Sequence, residues 1–344
     1  MKTFSVSLET ESFDLKEAQG LEKPTAILFN SNGLGYGIFP LDLNSLDQIQ
    51  NLENEVMRGQ SYINLFENTL AGKISPEQTF EVLRKGILEE KNEILARLIS
   101  SEMNTLYWNF LTQGQRETQL PILEEQLWNL LQQDISTNLK KTIFTLYSGI
   151  AYNESGQNRL YQVWKKNIEI KDLKLNPDNF TSLAMTLAVY GHPKFDEILT
   201  EERTRISNPD KLARFDFLQP ALSQNENDRD ALFESFKQEK NREKESWVLS
   251  ACGYIHHPLH QESSVKHLPL ALGLLEEIQK TGDIFFPKRW VSVTAGQYSS
   301  PEAAEIVSSF LDSHPDFNPI LKNKILQATD NLMRAQEITN SKKD

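Results

Sequence analysis

The chain contains 344 residues, 39% of them hydrophobic and 24% charged, with a formal net charge of −12. That composition belongs to an ordinary globular protein, and the length exceeds what one simple core supports, so two domains are expected. Acidic and basic residues are interspersed with no basic stripe to neutralise phosphates, which argues against nucleic-acid binding; no apolar run reaches membrane-spanning length, the longest, Leu268 to Leu275, being broken by Pro269 and Gly273.

Residues 1–43 read as β. Phe4, Val6 and Leu8 alternate with polar residues, Phe13 and Leu15 repeat the spacing, Ala26 to Phe29 is apolar, and Tyr36 alternates into Ile38. This is the pattern of short strands and not of a signal peptide, and it leaves the compartment open. Asn32-Gly33 supplies the positive φ of a tight turn, and Gly35 and Gly37 allow a bulge or a close backbone approach. So little sheet cannot bury a core alone; it must pack on helices or on strands supplied from elsewhere.

Residues 44–344 follow a helical period. Leu95, Leu98, Ile99, Met103, Leu106, Tyr107 and Phe110 advance in steps of three and four, as do Leu139, Ile143, Leu146, Tyr147 and Ile150. Start signals recur at Ser75-Pro76, Asn176-Pro177, Asn208-Pro209, Ser300-Pro301 and Asn318-Pro319, where a polar cap precedes a proline that loses no useful donor. Ser75 with Gln78 has capping-box spacing, and Gly59, Gly72, Gly191 and Gly282 suit left-handed C-caps. About thirteen to fifteen helices joined by short loops follow from these signals, without a repeat of fixed length. The expected fold is mainly α, an irregular α-solenoid or helical bowl of antiparallel helix pairs preceded by a small β portion.

The stretch Tyr254-Ile-His-His-Pro-Leu-His260 imitates a zinc site. His256 and His260 have the four-residue spacing that places two imidazoles on one helical face, but Pro258 between them ends the helix near His257. The general-base position holds His257 in place of Glu, and Gln279 stands where a third ligand would follow. The metal reading fails on these counts. Glu89, Glu90, Glu93 and the pair Glu276-Glu277 read as solvated helix faces, and Gly33-x-Gly35-x-Gly37 lacks phosphate-loop spacing. Cys252 is the single cysteine; it shares a stripe with Val248 and Ile255 and reads as a buried, inert thiol. Phe285, Phe286 and Trp290 read as core anchors. The residues offer no self-contained active site.

Asn241-Arg242 with Glu245-x-Trp247-Val248, then Tyr254 to Leu259, Leu274 to Gln279 and Thr281 to Pro287, resemble the C-terminal helical domain of the aminopeptidase N family. Asn208 to Pro220 fits the preceding helix of that domain, Leu321 to Gln327 with Arg334-Ala-Gln336 its last helix, and Asn30 to Asp42 the end of the β-sandwich before it. His260 departs from the pattern, which more often has arginine there. The family comprises zinc metallopeptidases (gluzincins) that remove N-terminal residues from peptides. Its His-Glu-x-x-His, distal Glu ligand, Gly-x-Met-Glu-Asn motif and catalytic tyrosine lie upstream, and none of those motifs occurs in this sequence. The resemblance implies a non-catalytic C-terminal region, inactive alone, whose helices cap the cavity of an upstream catalytic domain holding zinc. The expected partners are that domain and a peptide substrate.

Arg214 lies among Leu212, Phe215 and Phe217, Arg242 stands one turn from Glu245, and Arg289 adjoins Trp290. A guanidinium fixed by such neighbours suits bidentate recognition of a peptide carboxylate, and each equally suits a helix cap or a snorkelling side chain. A free-standing helical scaffold binding a protein partner through a concave face is the alternative reading.

Overall fold

A computed structural model describes residues 9, 10, 12–22, 24 and 26–340. After a 3-10 helix at Leu43–Asn51 come α1 (Glu55–Leu70), α2 (Pro76–Glu89), α3 (Glu93–Thr105), α4 (Gln113–Gln132), α5 (Thr137–Ile150) and α6 (Glu154–Trp164). They are followed by α7 (Pro177–Val189), α8 (Phe195–Arg205), α9 (Pro209–Leu218), α10 (Glu226–Ser235) and α11 (Glu245–Ile255). Four short helices, α12 (Gln261–Ser264), α13 (Leu268–Gly273), α14 (Leu275–Thr281) and α15 (Phe286–Val293), precede α16 (Pro301–Ser313), α17 (Pro319–Ala328) and α18 (Asp330–Asn340). The mainly α class is observed. The eighteen helices among the described residues exceed the expected number because Pro258, Pro269, Gly273 and Pro287 divide the stretch after α11 into short pieces.

All five cap-proline pairs start helices. Ser75, Asn176, Asn208, Ser300 and Asn318 each accept a bond from a first-turn amide, with the proline in the first turn. The box expected at Ser75 is only half formed; reciprocal boxes close at Thr112–Gln115 and Asn176–Asn179. Gly72 and Gly191 take φ of +70° and +69° and end α1 and α7 as expected. Gly282 ends α14 in an extended conformation instead. Gly59 is no cap: it is buried within α1, where an added Cβ would lie 2.7 Å from Leu95 Cδ2, so its missing side chain lets α1 approach α3.

The strands expected from Phe13 to Ile38 are not formed, and no strand occurs among the described residues; Phe4, Val6 and Leu8 lie outside them. The physical reason is a lack of ladder partners. Asn30 folds the segment into a turn, its carboxamide accepting from Gly35 N (2.7 Å) and donating to Gly35 O (3.1 Å). Positive φ falls on Asn30 and Gly33, at 51° and 70°. Asn68 of α1 donates to Phe39 O (2.8 Å) and docks the segment on the helices.

One buried apolar cluster runs from Leu46 to Leu332. α3 packs on α2 and α5, α7 on α6 and α8, α11 on α9 and α15, and α16 on α13 and α18. A π-turn at Leu106–Phe110 continues α3 and aims Trp108 across the core, where its indole donates to Gly149 O (3.0 Å) and meets His257 edge-on at 5.1 Å. α18 returns to α1: Arg334 Nη1 donates to Leu70 O (3.1 Å), and Ile338 lies 4.0 Å from where a Cβ on Gly72 would stand. The first and last helices therefore touch.

Candidate functional site

Asn208 caps α9 by accepting from the Lys211 amide (3.0 Å), with Pro209 opening the helix. Three-residue steps then bring Asn208, Lys211 and Arg214 onto one face, while Phe215 turns into the core at 1% exposure. That face lines a cavity of about 760 Å³ between α7, α9 and the end of α11. Such a volume suits a small molecule or a peptide end.

Arg214 is half-buried and is held by a bond from Nη2 to Ser250 Oγ on α11 (3.0 Å). One turn later the Tyr254 hydroxyl donates to Met185 Sδ on α7 (3.3 Å). Burial raises the Tyr254 phenol above its ordinary value, with nearby Arg214 pulling weakly the other way. The cavity's deepest carboxylate is Glu202, which accepts from Trp164 Nε1 (2.9 Å), Thr181 Oγ1 (2.7 Å) and Arg205 Nη1 (3.3 Å). Arg205 in turn stacks over the Trp164 ring at 4.3 Å. These bonds satisfy a buried charge that would otherwise be costly, and they fix one wall. Lys166 and the pair Lys211–Asp178 (2.5 Å) complete the charged lining.

The three predicted arginines occupy separate places. Arg214 reaches the cavity. Arg242 is 3% exposed; its Nη1 donates to Phe236 O after α10 and its Nη2 to Glu277 of α14, so it ties two elements together. Glu245, offered by spacing as its partner, instead accepts from Asp283 N (2.7 Å). Arg289 is exposed on α15, over the Phe285 ring at 5.9 Å. Phe286 and Trp290 are core residues, whereas Phe285 is 64% exposed.

The histidine stretch does not converge. α11 ends at Ile255; His256 Nδ1 faces the Tyr298 hydroxyl (2.7 Å), His257 Nδ1 accepts from Leu259 N (3.2 Å), and His260 Nδ1 faces Tyr254 O (3.1 Å). Burial pushes both His256 and His257 down to about 3. Among the described residues no three His, Cys, Asp or Glu side chains group to hold a metal ion, so these residues do not fit a zinc site. Cys252 is fully buried, and burial raises its thiol. No helix among the described residues is long and apolar enough to cross a membrane.

Sequence reasoning missed Glu202, Lys166, Asp178 and Lys211. The signal that could have found Lys211 was its three-residue spacing from both Asn208 and Arg214. Glu202 sits in a charged run, Glu201 to Arg205, that looks solvated throughout. No known protein-family model matches the chain, and no curated protein proves similar to it.

Proposed function

We propose that the chain is the non-catalytic C-terminal portion of a zinc-dependent aminopeptidase, forming a helical bowl that caps the active-site cavity and restricts substrate size. In this reading the N-terminal segment, which forms no strand among its described residues, completes a β-sandwich only against an upstream domain, which also supplies the zinc, the general base and the amine-binding residues. The observation that carries this reading is the placement of Arg214, half-buried and fixed by Ser250, in a cavity with an apolar wall. An exopeptidase binds a chain charged at both ends, and a planar guanidinium meets a terminal carboxylate with two parallel donors. Remote binding of that kind helps position the scissile bond.

The test uses the polypeptide with its upstream sequence. Arg214→Ala is expected to cost about 1–3 kcal/mol in kcat/KM for short peptides with a free carboxylate. An aminoacyl reporter without that group should be nearly unaffected; equal loss on both substrates, or none on either, rejects the assignment.

A free-standing scaffold is the second reading, favoured by the apolar side chains that the N-terminal segment leaves uncovered, Leu34 at 85% exposure and Tyr36 fully exposed. In the first reading the missing strands of the sandwich cover them; in the second, another protein does. An upstream His-Glu-x-x-His in the same reading frame decides for the first.

A further inference from the structure

The charges around the cavity do not cancel. Lys166, Arg205, Lys211 and Arg214 line it against two carboxylates, Asp178 and Glu202. Arg205 is engaged by Glu201 (2.6 Å) and Glu202 (3.3 Å), and Lys211 by Asp178 (2.5 Å). Among the described residues Arg214 bonds only the neutral Ser250, and the Lys166 ammonium lies over the Phe180 ring at 4.9 Å. Among the described residues, neither cation has a carboxylate partner. Two positive charges thus stand uncompensated in a concavity of a chain whose net charge is −12. Low-dielectric walls concentrate such a field on whatever enters.

We propose that this cavity selects ligands bearing two negative charges, a dicarboxylate end such as a peptide terminating in Asp or Glu, and that Asp178 is its built-in competitor. Phe180, Met185 and Phe215 give the aliphatic stem between two such carboxylates an apolar wall. Asp178 and Lys211 are 63% and 56% exposed, so their ion pair is weak and exchangeable. An arriving anion takes Lys211 from Asp178, and Asp178 lowers the affinity of every anion that enters. The identification of a peptide as the natural source rests on the function proposed above; the charge selectivity does not.

Calorimetric titration of the 344-residue chain tests this. The probes are acetyl-Ala-Ala-Glu, its C-terminal amide, acetyl-Ala-Ala-Leu and glutarate. The doubly charged peptide is expected to bind about tenfold more tightly than either singly charged one. Asp178→Asn should tighten it about threefold to fivefold, and Arg214→Ala should weaken it about tenfold. An unchanged melting temperature and partial retention by Arg214→Lys separate lost recognition from lost folding. Equal binding of the Glu and Leu peptides, an Asp178→Asn variant that binds no better, or no binding of any probe overturns the inference. Peptide binding without charge preference leaves the peptidase reading standing. Glutarate binding without peptide binding keeps the dianion site and removes the peptide.

Discussion

Glu102 and the two buried histidines titrate in opposite senses. His256 and His257 stay neutral in the folded chain down to about pH 3, while an unfolded chain protonates them near 6.5. Stability is therefore full above about pH 6.5 and falls as pH drops toward 3, by about 1.4 kcal/mol per pH unit for each histidine. Urea unfolding at pH 7 and pH 5.5 should show this loss. Burial, with nearby Glu67 adding to it, raises Glu102 from 4.5 to about 9. Its contribution is present below 4.5 and is lost as pH rises toward 9. Glu102→Gln, which keeps the neutral shape, should be more stable than the parent at pH 8 by on the order of 2 kcal/mol and equal to it at pH 4. Equal stability at both pH values means that the carboxyl is not held neutral. Arg214 was legible because aromatic neighbours flank it. Its counterpart Glu202 was not, since burial of one glutamate in a charged helix is decided by Trp164 and Thr181, from helices far along the chain.

Helix starts were readable wherever a cap and a proline coincide, because both act within one turn. Glycines were less so, since Gly72 answers a local need for positive φ and Gly59 answers the approach of α3. The strand signals at Phe13, Leu15, Ala26 to Phe29, Tyr36 and Ile38 did not lead to strands for the same reason, as strands require partners that no local pattern supplies. Gly296 belongs with Gly59. A Cβ there would come within 2.6 Å of Ala328 O, a backbone atom at the end of α17 that cannot rotate away. Gly296→Ala should cost about 1–3 kcal/mol by separating α17 from the turn after α15, read as a lower urea midpoint with an unchanged slope. A smaller shift than about 0.5 kcal/mol would show that the contact relaxes freely.

The whole molecule offers a cavity, a charged lining and no grouped metal ligands among its described residues. The expected outcome is that the purified chain, with or without added zinc, turns over no aminoacyl reporter. Zinc-dependent turnover that copurifies with it and vanishes on His256→Ala or His260→Ala would reverse that reading. The charge pattern sets a second expectation at this scale. Binding of anionic peptides should weaken steeply between low and physiological salt, because exposed charges such as Lys166 and Lys211 are screened over about 8–10 Å. Salt-independent binding would place recognition in the apolar wall instead.

The contact between α18 and α1 also orders the chain in time. Arg334 reaches the carbonyl of Leu70 across 264 positions of sequence. During synthesis α1 leaves the ribosome well before α18 exists, and at about 5–20 residues per second it waits on the order of 13 to 53 s for its last neighbour. Through that interval the face of α1 that later meets α18 is open to chaperones and to other nascent chains. Closure of so long a loop comes late, because its entropy must be lost before the contact forms. Arg334→Ala is therefore expected to lower the soluble yield of the expressed chain by a larger factor than its shift in urea midpoint would imply, and equal effects would show that the late contact is of no consequence during synthesis.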